Sequence, residues 1–409
     1  MAAGYFAAGK QNEIGTFEFT IRRLPRNRDF VVAAGLHRAV DYLLNLRFDA
    51  DEIAWLRNLP NFRHTPPAFW DYLAEFRFTG DVFAVPEGTV LYAGQPVMNI
   101  RAPIIEGQIP ETYLLSAVSF EMLIASKAVR LAHAAGGRNV YDYGTRRAHT
   151  PEAGVLGARA AYIGGCAGTS NTLAGYRYGI PVVGTAAHSW VMAFESETEA
   201  FRELQTLLGD QTVQLVDTYD PIEGARTAAR LGKPLWGVRI DSGDFFVLSR
   251  QIRKILDSAG LHDTRIIASG DLDEVRIAAI VEDGAPIDAF GVGTELATSA
   301  DAPSMGSIYK LVEIERAGQT RYTAKHSAEK GTVPGAKQLF RYPDYDLLAL
   351  HEECAEGAEA LLQPVILDGR LLEPLPSLKE IRQRVKWPAG PRSMKRSEAL
   401  ENLMAQVHA

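Results

Sequence analysis

Cysteine is scarce in this chain: Cys166 and Cys354 are the two in 409 residues. Two thiols build neither a disulfide framework nor a multi-cysteine zinc centre, and they read as reduced thiols of a cytoplasmic enzyme. Long apolar runs are missing too, since no stretch approaches the roughly 20 residues of a membrane helix. Met1-Ala2-Ala3-Gly4-Tyr5 lacks the basic-then-apolar order of a secretory signal. Nor is there surplus positive charge. Lys and Arg number 43 against 50 Asp and Glu, a net charge of -7, so no basic face remains for nucleic acid or a membrane surface. Any phosphate must be met by a local cluster.

What is present is a globular composition, 46% hydrophobic and 23% charged, in a chain long enough for two domains. From about Asn139 to Lys310, short β-branched runs alternate with helical spacing, the pattern of parallel βαβ units. The runs are 139–143, 181–184, 212–216, 235–240, 265–268 and 289–292, with a weaker one before Gly168. Helical stretches are expected over 151–162, 172–178, 188–208, 221–231, 244–259 and 271–282. The first 105 residues and those after 315 look different, with a strand-like Phe17-Glu18-Phe19-Thr20-Ile21-Arg22 and turn-rich segments. The expected organisation is therefore a barrel over 106–315 and a second α/β domain made from 1–105 and 316–409.

Nearly every run ends in a polar cluster, which is how a (β/α) barrel assembles an active site. The richest is Gly184-Thr185-Ala186-Ala187-His188-Ser189. Some acids have a plain explanation. Asp220-Pro221-Ile222-Glu223 reads as a helix cap, and Asp271-Leu272-Asp273-Glu274 as a capping box whose Asp271 can also hold a sugar hydroxyl. Arg239 and Asp241 fall on one side of an otherwise apolar strand, where burial costs several kcal/mol unless each is paired or meets a ligand. They either pair with neighbours or divide a ligand, guanidinium to carboxylate or phosphate and aspartate to ribose diol. Gly270 and Gly291-Val292-Gly293-Thr294 close the last strands, where barrels commonly hold phosphate on bare backbone N–H groups. Arg146 and Arg147 are expected to point apart, with Arg146 toward the barrel mouth. The strand-end clusters contain no lysine, which argues against a phosphosugar lyase or isomerase.

Tyr143-Gly144-Thr145-Arg146-Arg147-Ala148-His149, Gly168-Thr169-Ser170-Asn171, the Gly184 to Ser189 cluster and Arg239-Ile240-Asp241-Ser242-Gly243-Asp244 closely resemble the nicotinate phosphoribosyltransferases, which are type II phosphoribosyltransferases. The resemblance continues through Ser269 to Glu274, Phe290 to Thr294, Tyr309 to Glu313 and Pro334 to Gln338. It implies an irregular TIM-like α/β barrel plus an α/β sandwich domain built from the N-terminal and C-terminal segments. It also implies a homodimer with shared active sites, which makes nicotinate mononucleotide and diphosphate from nicotinate and phosphoribosyl diphosphate. ATP as co-substrate and Mg²⁺ are implied as well. By motif, His188 would be the histidine phosphorylated by ATP and, with Asp241, a catalytic residue. Arg146, Ser170, Asn171, Thr185, Arg239, Gly270, Asp271, Gly293 and Thr294 would bind substrate. Nicotinamide enzymes carry an aspartate in the second loop, where Ser170 and Asn171 stand here, so the acid is the expected base rather than the amide. In the family an N-terminal segment supplies a tyrosine that packs on the base; Met1 to Phe6 begins where that segment ends, and Tyr5 does not take its place.

Overall fold

A computed structural model describes residues 1–327 and 330–408, the side chain of His408 excepted. The chain forms two compact units, one from Met1–Leu123 with Ser304–Ala409 and one from Ile124–Pro303. Neither cysteine is in a disulfide among the described residues, and no helix there is long and apolar enough to cross a membrane.

The contiguous unit is a curled parallel sheet with helices between its strands. In spatial order the strands are Gly168–Thr169, Asn139–Asp142, Ala289–Val292, Arg265–Ser269, Gly237–Ile240 and Val213–Leu215. Val238, Ile240, Ile266, Ile267, Ala268, Phe290 and Val292 are buried, as expected of parallel strands covered on both faces. The sheet is a half barrel. The expected strand at 181–184 contributes one bridge, Thr169 to Val182, because Pro181 offers no N–H to a ladder and Gly184 no side chain to pack.

Helix starts follow local chemistry. Asp220 caps Pro221–Leu231, its Oδ1 accepting from the N–H groups of Ile222 and Glu223 at 2.9 Å each. The expectation for Asp271 is corrected: the cap of Glu274–Glu282 is Asp273, which accepts from the Arg276 N–H at 2.8 Å. Asp271 instead turns the chain at φ 49°, because the backbone must reverse directly after the Arg265–Ser269 strand. The expected helix over 188–208 is likewise two helices, His188–Met192 and Glu197–Leu208. Ser196 opens the second by accepting from the Glu199 N–H.

The terminal unit is built on an antiparallel sheet of seven strands, with Ile14–Arg23 between Gly306–Arg316 and Pro96–Pro103. Phe17, Phe19 and Ile21 fill one face of the Ile14–Arg23 strand. Its polar face is buried as well: Glu18 is 5% exposed and meets the Lys337 ammonium at 3.1 Å. Unit boundaries fall at 123/124 and 303/304 instead of 105/106 and 315/316. Gly306–Arg316 pairs along Ile14–Arg23, and Leu114, Val118 and Met122 join the same apolar cluster as Phe17 and Phe19, so both segments belong with the termini.

Candidate active site

At the C-terminal ends of the parallel strands lies a cavity of about 260 Å³, formed wholly within residues 143–294. Arg146, Ser170, Thr185, Arg239, Asp241, Gly270, Asp271, Gly293 and Thr294 all line it. The short strands end at these groups or within four residues of them, which is why polar side chains crowd one end of an apolar sheet.

Asp241 is the hub. Its Oδ1 accepts from the Ser269 hydroxyl and lies 3.9 Å from Arg239 Nη2, while its Oδ2 lies 3.7 Å from His188 Nε2. The Asp241 backbone N–H donates to Asp217 Oδ2 at 2.8 Å, and the Ser242 hydroxyl donates to the same oxygen at 3.0 Å. Burial pushes the Asp241 carboxyl up, but the Ser269 hydrogen bond, then Arg239, His188 and Arg146, outweigh it and hold the group below its ordinary value. It is a carboxylate at neutral pH.

His188 opens the His188–Met192 helix and does not line the cavity. It stands beside it, half-exposed, with Nδ1 3.2 Å from the Thr218 hydroxyl and Nε2 facing Asp241. One nitrogen thus meets a hydroxyl and the other a carboxylate, an arrangement that fixes the ring's orientation.

Arg239 is mostly buried, and its Nε has no hydrogen-bond partner among the described residues. Its guanidinium sits 5.9 Å from the centroid of the Tyr143 ring. Tyr143 also lines the cavity, and was not singled out from the sequence. Its ring occupies the notch left by Gly291, where a Cβ would come within 2.5 Å of it. Burial pushes its phenol up to about 12, so the hydroxyl stays protonated. The pairing of an aromatic at one strand end with a glycine at the next was the available signal.

Two expectations change here. Arg147 lines the cavity together with Arg146, because Thr145–Arg147 is a turn of 3₁₀ helix, in which neighbouring side chains are not thrown to opposite sides as in a strand. Asn171 does not line it. Its Oδ1 caps Thr172–Tyr178 through the Ala174 N–H at 2.9 Å and its Nδ2 donates to Thr145 Oγ1 at 3.1 Å, so the amide is committed to the fold. Behind these loops, buried Asp142 accepts from the Gly144 N–H at 2.8 Å and the Thr169 hydroxyl at 2.7 Å, tying two strand ends together.

At the start of the helix Glu197–Leu208, Glu197 is pushed up to about 7, first by burial and then by Asp220. Between its ordinary value of 4.5 and about 7, the folded chain holds a proton that the unfolded chain releases, so stability falls as pH rises through that window. Glu197→Gln is expected to raise Tm at pH 8 by roughly 2–4 °C and to leave it unchanged at pH 4. Thermal denaturation at the two pH values checks this; an equal effect at both would remove the titration from the explanation.

Residues 1–119 match the nicotinate phosphoribosyltransferase (NAPRTase) N-terminal domain, and residues 139–333 match the nicotinate phosphoribosyltransferase (NAPRTase) family. Over 381 residues the chain is 43% identical to a nicotinate phosphoribosyltransferase of Mycobacterium tuberculosis, an alignment spanning 90% of this chain and 80% of that one. With the nicotinate phosphoribosyltransferase of Bacillus subtilis, identity is 40% over 369 residues, 86% of this chain and 74% of that one. The crystal structure of human nicotinic acid phosphoribosyltransferase superposes with a TM-score of 0.87 over 100% of this chain and 98% of its own, at 27% identity.

Proposed function

The chain belongs to the nicotinate phosphoribosyltransferase family, and we propose that it couples the family's transfer to ATP hydrolysis through His188, as a cytoplasmic, Mg²⁺-dependent homodimer with shared sites. It transfers phosphoribosyl from 5-phosphoribosyl 1-diphosphate to nicotinate, forming nicotinate mononucleotide and diphosphate in NAD salvage. One observation supports the assignment of residues: Arg239, Asp241, Asp271 and the bare backbone at Gly270 and Gly293 open into one cavity.

As diphosphate leaves C1 of the ribose, positive charge builds on the sugar and the pyridine nitrogen attacks from the opposite face. The protein's work is orientation and neutralisation of the leaving group. Arg239 takes the nicotinate carboxylate, with the Tyr143 ring beneath as a surface for the pyridine. Asp241 and Asp271 take ribose hydroxyls, and the amides around Gly293 and Thr294 take the 5-phosphate. Arg146 and Arg147 face the diphosphate. Ser170 borders the cavity without a negative charge, so the second loop does not repel the acid.

Oxygen donors for Mg²⁺ are available. Asp217 Oδ1 is buried without a hydrogen-bond partner among the described residues, and Asp241 and Asp271 present carboxylates at neighbouring strand ends. These residues would hold the ion, which when bound neutralises charge on the diphosphate. In the coupling step the γ-phosphoryl of ATP passes to a ring nitrogen of His188, breaking the bond to ADP. The phosphohistidine then adds a dianion beside Asp241 that organises the cationic groups, and water cleaves its P–N bond to release phosphate and return free His188.

The test offers nicotinate, nicotinamide or quinolinate with phosphoribosyl diphosphate and Mg²⁺, with and without ATP, and identifies the mononucleotide. Product from nicotinamide but not nicotinate would overturn the assignment of Arg239 and Ser170; no product with any base would mark a binding protein without turnover. His188→Ala is expected to lose ATP stimulation and the labelled phosphoprotein while keeping slow ATP-independent transfer. Undiminished stimulation in that variant would take His188 out of the coupling step.

A further inference from the structure

Lys127 belongs to none of the strand-end clusters, yet it is among the most buried side chains of the protein, 1% exposed in the helix Glu111–Ala134. Its ammonium lies 2.6 Å from Glu274 Oε2, 3.1 Å from Asp301 Oδ1 and 3.4 Å from Glu295 Oε2. The second Glu274 oxygen meets Arg130 Nε at 2.9 Å. Burial works against the charge, but Glu274 and Asp301 outweigh it and hold the ammonium above its ordinary value. An ammonium has three donors, and all three face carboxylates from separate points of the chain.

Those points are not arbitrary. Glu274 is the first residue of the helix Glu274–Glu282, which follows the turn at Gly270 and Asp271. Glu295 is the second residue of the helix Thr294–Ala297, which follows Gly293, and Asp301 lies shortly after that helix. We propose that Lys127 is a positioning residue for the phosphoribosyl subsite, a buried cation that sets both substrate-facing turns from behind through the helices they lead into. Both turns share this one charge, with Arg130 as a second hold on Glu274 alone, so releasing it loosens the groups assigned to ribose and 5-phosphate together. The groups assigned to the base, Arg239 and Tyr143, make no contact with this network among those described. The role rests on the transferase function above.

A split between the two substrates is therefore expected. In Lys127→Met, KM for phosphoribosyl diphosphate should rise about tenfold or more while KM for nicotinate stays within about twofold. Glu295→Gln keeps the ammonium paired with Glu274 and Asp301 but loosens the second turn. It should shift KM for phosphoribosyl diphosphate in the same direction by about three- to fivefold, and it carries the test if Lys127→Met does not fold. Ile252→Val, a fully buried change elsewhere in the same unit, serves as the control for destabilisation and should alter neither KM. Equal rises in both KM values, or no rise despite a lowered Tm, would overturn the role of Lys127. A wild-type protein that forms no mononucleotide would overturn both this inference and the function it rests on.

Discussion

Replacing Arg239 by glutamine is expected to lower kcat/KM for nicotinate by about 10²–10³-fold, while any slow transfer to nicotinamide changes by no more than a few fold. The argument starts from the guanidinium's poor intramolecular pairing. Among the described residues its ion-pair contact is to Asp241 at 3.9 Å, too long for a hydrogen bond, and its Nε has no hydrogen-bond partner there. A cation this buried, and this loosely held, retains donors for a ligand. Removing one partner from a desolvated charge-assisted pair costs roughly 2–5 kcal/mol, and each factor of ten corresponds to about 1.4 kcal/mol. Glutamine keeps much of the side chain's length and can still sit on Tyr143, so the loss falls on the charge. Steady-state kinetics with both bases checks the result. An equal loss with nicotinamide would mean that Arg239 serves the phosphoribosyl half of the reaction instead.

Gly270→Ala is expected to remove nearly all activity and to lower stability by roughly 2–4 kcal/mol. At φ +94° the position favours glycine, and a Cβ there would lie 1.9 Å from the Asp241 carbonyl oxygen. That neighbour is backbone and cannot swing aside. Relief requires either the Asp241 loop or the Asp271 turn to move by about 1 Å, and displacements of that size at a reacting centre cost about 10²-fold. Gly390→Ala, where a Cβ meets nothing within 4 Å, should be close to neutral. Denaturant titration and turnover of the two variants provide the comparison; a Gly270→Ala enzyme with near-normal kcat/KM would show that the Asp241 and Asp271 turns tolerate independent movement.

Much of the site was legible because parallel strands buried on both faces are nearly all apolar, so a polar residue just after such a run stands out. Arg239, Asp241, Gly293 and Thr294 were visible in this way. Where the decision depended on turn geometry, sequence pattern was insufficient. Asp271 and Asp273 are chemically alike, and only the reversal at φ 49° hands the cap to Asp273. Asn171 was assigned to substrate through the family resemblance, and its residue type does not tell a binding amide from the capping amide it is. The 3₁₀ turn that brings Arg147 beside Arg146 leaves no periodic trace in three residues. Lys127 was invisible for another reason: a lysine in a long helix ordinarily reads as solvent-facing, and its three acidic partners lie between 147 and 174 positions further along the chain.

An inner strand of the terminal unit, Ile14–Arg23, bears on the order in which the chain folds during synthesis. Ile14–Arg23 pairs on one side with Pro96–Pro103, which emerges early, and on the other with Gly306–Arg316, which emerges only after the whole of Ile124–Pro303. Until then one edge of a strand carrying Phe17, Phe19 and Ile21 stands open, a template for pairing with a neighbouring chain. The contiguous parallel unit needs no such wait, having all its strands in one stretch. Slower synthesis between residues 24 and 305 therefore lengthens the time for which that edge is open before its second partner is made.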